Sequence, residues 1–78
     1  MRYSFAGKSP VVDETAFVSE QATLIGDVEI GPRCYVGPGA IIRGDAAKIR
    51  IEEEVAIEEG VIIHAGGGGC TESVIGRR

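Results

Sequence analysis

Aliphatic residues recur along this chain every six positions. Cut from Val12, the sequence reads VDETAF, VSEQAT, LIGDVE, IGPRCY, VGPGAI and IRGDAA, the last unit beginning at Ile42. The register then skips three residues and resumes with IEEEVA at Ile51, IEEGVI at Ile57 and IHAGGG at Ile63, and a further IGRR begins at Ile75. The first position of every unit is aliphatic. The fifth is small or aliphatic: Ala16, Ala22, Val28, Cys34, Ala40, Ala46, Val55 and Val61. An amphipathic helix would place apolar residues at steps of three and four, and a plain alternating strand would not hold a period of six. Pro32, Pro38, Gly31, Gly37 and Gly39 punctuate the chain too often for a helix.

A hexapeptide period points to a parallel β-helix, in which each hexad gives a short strand and a bend and three hexads close a triangular coil. The pattern predicts an all-β chain of about four such coils over residues 11–78. The first position points inward and stacks on the residue eighteen positions later, the fifth lies near a corner, and strands pair in parallel at about 4.8 Å. Residues 1–10 read as a polar N-terminal cap. No C-terminal capping helix can be drawn. Ser-Val-Ile-Gly-Arg-Arg stops in mid-coil, so the chain reads as a fragment or shortened product whose last coil leaves a backbone edge. Trimerisation or end-to-end stacking is the expected remedy.

Composition narrows the function classes. A chain of 78 residues is one small domain that buries only about 60% of its unfolded surface. The net charge is −4 with both signs interspersed, which argues against nucleic acid as a partner. No apolar run approaches the roughly 20 residues of a membrane span. The start, MRYSFAGKSP, lacks the apolar core of a signal peptide. Two cysteines, Cys34 and Cys70, are too few for a disulfide framework, so a reducing cytoplasmic setting is expected.

The register also gathers chemistry. Ile25, Arg43 and His64 are each the second residue of a hexad. Eighteen residues separate the first pair, and twenty-one, which is eighteen plus the skip, the second. All three should stack on one outer face in adjacent coils, with Asp45 placed to pair with Arg43. His64 is the only histidine. It reads either as a zinc ligand, since neutral imidazole suits zinc, or as a surface histidine beside a loop. The tetraglycine at 66–69 lacks the lysine and hydroxyl residue of a phosphate loop and reads as a flexible insertion. Cys70 behind it reads as a packed or idle thiol, with a metal or redox role as the alternative.

The stretch GDVEIGPRCYVGPGAIIRGDAAKIRIEEEVAIEEGVIIHA resembles the core of the gamma-class carbonic anhydrase-like proteins of the hexapeptide-repeat superfamily. The most specific part is IRGD at 42–45, followed by an irregular step and VIIHA. The hexads alone would also fit acyltransferases. The resemblance runs from Ser9 to the end. It implies a left-handed β-helix, a homotrimer, zinc at the subunit interfaces and reversible hydration of carbon dioxide to bicarbonate, although many relatives are poor catalysts. It implies interface salt bridges for Arg43 and Asp45, against the plain reading of a solvated pair worth roughly 0 to 1 kcal/mol. It makes His64 one of three zinc ligands. The other two, spaced H-x-x-x-x-H, would follow the coil that starts at Ile75, and the chain ends at Arg78. The 78-residue chain is therefore expected not to hold a catalytic zinc tightly.

Glu58 and Glu59 stand where the family often has Gln-Asp, which makes Glu58 the candidate catalytic residue. An ionised carboxylate there accepts hydrogen bonds but donates none. Ala56 stands where an asparagine is common. Glu52, Glu53 and Glu54 replace a glycine-rich turn and read as a solvated corner. The family's proton-shuttle glutamates would fall at Ala46 or Ala47 and within Gly66 to Gly69, so even a full-length parent is expected to be a weak carbonic anhydrase. A hexapeptide acyltransferase and a non-catalytic trimeric scaffold remain the alternatives.

Overall fold

Among the described residues, nine strands wind into a parallel β-helix. In this computed structural model, residues 1–64 and 72–75 are described; the tetraglycine and Cys70 lie outside them. The strands are β1 (Arg2–Tyr3), β2 (Val11–Val12), β3 (Phe17–Val18), β4 (Thr23–Ile30), β5 (Tyr35–Val36), β6 (Ile41–Ile51), β7 (Ala56–Ile57), β8 (Ile62–His64) and β9 (Glu72–Ile75). Every pairing between them is parallel. One sheet runs β1-β4-β6-β8, with β2 joined to β4 and β9 to β6, and the other runs β3-β5-β7. Because β4 and β6 bend round a corner, the strands lie on three faces. The first face carries β1, the starts of β4 and β6, and β8. The second carries β2, the ends of β4 and β6, and β9. The third carries β3, β5 and β7.

The hexad period appears directly in the register. Phe17 pairs with Tyr35 and Leu24 with Ile42, each eighteen residues apart. After the skip the step lengthens to twenty-one, as in Val36 with Ile57 and Ile42 with Ile63. Ile51 pairs with Ile75, twenty-four residues on, so six residues beyond a regular coil lie between those two rungs. First-position residues Leu24, Ile30, Val36, Ile42, Ile51 and Ile57 are all buried. They form one cluster with Ala22, Val28, Cys34, Ala40, Ile49 and Val55, and no polar or charged residue among those described is buried with them. Each fully buried Leu, Ile or Val is worth about 1.5–3 kcal/mol relative to exposure. The Cys34 thiol donates to the Glu52 carbonyl at 2.6 Å, which satisfies it within the wall. Val61 is a fifth-position residue but is 37% exposed.

The three extra residues do not sit where the hexad cut places them. Gly26 pairs with Gly44 and Val28 with Ile49, so Asp27 faces residues 45–48 and the bulge follows Gly44 immediately. Ile49, not Ala46, therefore occupies the rung of the fifth-position Val28. The reason is packing: Ile49 is fully buried and continues the inward ladder through Ile51, which an alanine would fill less well.

Corners repeat as the faces do. Gly39 and Gly60, one long coil apart, both take positive φ at the corner between the third and first faces. Arg33 and Glu54 occupy the corner between the second and third faces and take positive φ without being glycine. Arg33 Nη2 meets Glu53 at 2.8 Å and its Nε meets Glu54 at 3.2 Å. The backbone N–H of Arg33 donates to Thr15 Oγ1 at 3.0 Å, and the Thr15 N–H and hydroxyl both donate to Asp13. Those two Thr15 hydrogen bonds hold the Asp13 carboxyl below its ordinary pKa. The acidic triplet is thus a cross-linked corner rather than only a solvated one.

Gly44 fixes how closely the first two coils approach at the bulge. A Cβ there would overlap the Asp27 carbonyl, and one on Gly26 would lie 2.6 Å from the Gly44 carbonyl oxygen. Gly44→Ala is expected to lower stability by about 1–3 kcal/mol, in the range of overpacked sites, as read by urea denaturation. An unchanged midpoint would contradict this approach of the two backbones.

Candidate functional site

Strand alternation decides what faces outward. Leu24 and Ile42 are buried and Ile63 packs against the core, so their neighbours Ile25, Arg43 and His64 turn to the outer side of the first face. Their backbones form one column: Tyr3 pairs with Ile25, Ile25 with Arg43, and Arg43 with His64. Beside it runs a second column of Thr23, Ile41 and Ile62. Tyr3 is 47% exposed and Ile62 64%. The face is thus apolar around a polar centre.

That centre is held in place. Arg43 Nε and Nη2 both donate to Asp45 Oδ2, at 3.2 and 3.0 Å. The Arg43 side chain is 47% exposed and that of Asp45 22%. His64 stands one strand away from Arg43, about 4.8 Å between backbones. Register and ion pair therefore bring three of the sequence-derived candidates, Arg43, Asp45 and His64, to one place. Asp45 itself opens the bulge, where the strand leaves its regular register.

At the far end of the bulge Lys48 Nζ donates to Glu29 Oε2 at 2.8 Å. This hydrogen bond holds the Glu29 carboxyl below its ordinary pKa against the opposing effect of burial, with lesser help from the charges of Lys48 and Arg50. Between the bulge and the turn closed by mutual backbone hydrogen bonds of Phe5 and Lys8 lies a cleft lined in part by Lys8, Asp27, Asp45 and Lys48. Sequence reasoning passed over Glu29 and Lys48. Their nineteen-residue separation is legible as a contact only once the insertion is placed after Gly44.

Glu58 lies elsewhere in the coil. It is exposed in the corner turn between β7 and β8, where its carbonyl accepts from the Val61 N–H at 3.4 Å. No hydrogen bond or ion pair joins its side chain to Arg43, Asp45 or any other group among the described residues. On the third face Phe17 and Tyr35 stack at 5.6 Å between ring centroids, both exposed, another feature absent from the sequence reading.

A catalytic zinc needs three protein ligands and an open position. His64 supplies one imidazole, and among the described residues no three His, Cys, Asp or Glu side chains come together. The described residues do not by themselves fit such a metal. No helix among them is long and apolar enough to cross a membrane.

Comparison with known proteins finds homologues of the same fold. No protein-family profile matches the chain. The carnitine operon protein CaiE of Escherichia coli strain SMS-3-5 is 43% identical over 75 residues, which cover 95% of this chain and 37% of that protein. CaiE of Escherichia coli strain IAI1 gives the same identity and coverage. The crystal structure of a hexapeptide transferase family protein from Anaplasma phagocytophilum superposes with a TM-score of 0.89 at 38% identity, covering 99% of this chain and 43% of that one. The chain therefore spans little more than a third of the length of the curated relatives it matches. Within that span it is homologous to the CaiE proteins and has the left-handed parallel β-helix fold of hexapeptide-repeat proteins.

Proposed function

We propose that this chain is the interface-forming β-helical part of a gamma carbonic anhydrase-like protein that assembles as a homotrimer and, in its whole form, interconverts carbon dioxide and bicarbonate. The observation that carries the reading is the Arg43–Asp45 pair, fixed at 3.0 Å on an outer face, with His64 on the next rung. A face of exposed apolar side chains around a preformed ion pair suits burial against another subunit, where aromatic residues and arginine supply much of the contact. The pair then sets register between subunits. His64 is available to a zinc shared between subunits, with its remaining ligands supplied from outside the described residues. Glu58 would act there only as a hydrogen-bond acceptor. Residues 1–10 serve as the cap of the first coil, and a cytoplasmic setting suits the reduced, buried thiol of Cys34.

A second reading is favoured by the solved relative, which is described as a hexapeptide transferase family protein. In it, His64 would be the general base of an acyl transfer between subunits.

Two results are expected. Arg43→Ala lowers the sedimentation coefficient of the assembled protein while leaving the β-rich circular dichroism of the chain in place; equal sedimentation of variant and parent would remove the interface role. Metal analysis of the 78-residue chain after dialysis against zinc finds less than one tightly held zinc per chain, because a single imidazole falls short of a zinc site. One zinc retained per chain would overturn the ligand count.

A further inference from the structure

The insertion that carries Asp45 is fastened at both ends. At its start, Arg43 holds Asp45 through two N–H donors on one oxygen. At its close, Lys48 reaches back across the strand pair to Glu29 on the preceding coil, at 2.8 Å. Between them the ladder is out of register: Asp27 stands opposite residues 45–48, and regular pairing resumes only at Val28 with Ile49. Residues 45–47 have no ladder partner on that neighbour, whereas Lys48 is in register with Glu72 of β9 on the other side. Gly44 fixes where the bulge leaves the sheet, since it lies against the Asp27 carbonyl too closely for any side chain. Ile49 fixes where it returns, because its side chain is fully buried. Between these anchors the two side-chain ion pairs lie at the start and the close of the insertion.

We infer that Lys48 and Glu29 are positioning residues: their ion pair clasps the return of the bulge to the first coil and so holds Asp45 where Arg43 can engage it. Lys48 is 31% exposed and Glu29 42%, so the pair sits on the surface and contributes little to global stability. Its effect is local and geometric. Asp45 is less exposed than Arg43 and belongs to the segment that would relax if the clasp opened. The charges around the pair agree with this arrangement. Arg50, in register with Glu29, adds a second favourable charge.

The inference gains functional weight from the interface reading of Arg43 and Asp45, but it is tested without it. The test is the Arg43 Nε–H signal in 1H–15N correlation spectra, with its exchange against water, in the parent and in Glu29→Gln, Lys48→Met and Lys48→Arg. The expected result is a loss of the Arg43 signal through faster exchange in Glu29→Gln and Lys48→Met, and its retention in Lys48→Arg, which keeps the donor. The urea midpoint should stay near that of the parent in all three. Retention of the Arg43 signal in Glu29→Gln and Lys48→Met would overturn the positioning role, whatever happens to stability. Loss of the signal only in step with a lowered midpoint would reduce the pair to a general structural contact, and so would overturn it too. Sedimentation of the same variants separates this from the larger reading. If the Arg43 signal is lost but assembly is unchanged, the clasp stands and the interface role of Arg43 falls.

Discussion

Everything in this chain depends on an aliphatic side chain meeting its counterpart one coil further on. The interior is a stack of single residues, Leu24 on Ile42, Ile30 on Ile51, Val36 on Ile57, with no second layer behind it. A small domain has little surplus burial, so each rung must be filled. That requirement sets the register of every strand, and the register then dictates what lies outside. Because side chains alternate across a strand, burying Leu24, Ile42 and Ile63 compels Ile25, Arg43 and His64 to share the outer column. The candidate site is thus a by-product of core packing.

The same constraint explains the bulge. Three additional residues must leave the coil somewhere, and the stack of Ile49 and Ile51 against Val28 and Ile30 forbids them from leaving near its inward rungs. They leave where two glycines already face each other across the corner, Gly26 and Gly44, and where the backbones come too close for a side chain. A strand interruption of this kind re-aims side chains. Here Asp45, at its start, meets the guanidinium two residues before it, while Lys48 ties the far end to Glu29.

Much of this was legible in the sequence, for physical reasons that can be named. The hexad period survives because inward positions tolerate only aliphatic residues, so the coil, its faces and the Arg43–His64 neighbourhood follow from counting. The place of the insertion did not follow. Ala46 satisfies a rule of small residues at the fifth position as well as Ile49 satisfies a rule of burial, and hydropathy has no means of choosing between them. The cross-linked corner was hidden for another reason. Arg33 and Glu54 adopt positive φ as ordinary side-chain residues, and a glutamate run beside a solitary arginine reads as solvated until the corner brings them to 2.8 and 3.2 Å. Glu58 entered through resemblance alone, and the fold leaves it in a corner turn with no tie to Arg43 or Asp45.

The inward stack forces a three-residue insertion immediately after Gly44, which brings Ile49 beside Val28 while Arg43 stays beside His64. Interstrand nuclear Overhauser contacts between backbone protons measure this directly. The expected result is contacts joining Arg43 to His64 and Val28 to Ile49. Contacts joining Val28 to Ala46, at the uninterrupted eighteen-residue step, would contradict the place of the insertion, and a lack of contacts between Arg43 and His64 would dissolve the site.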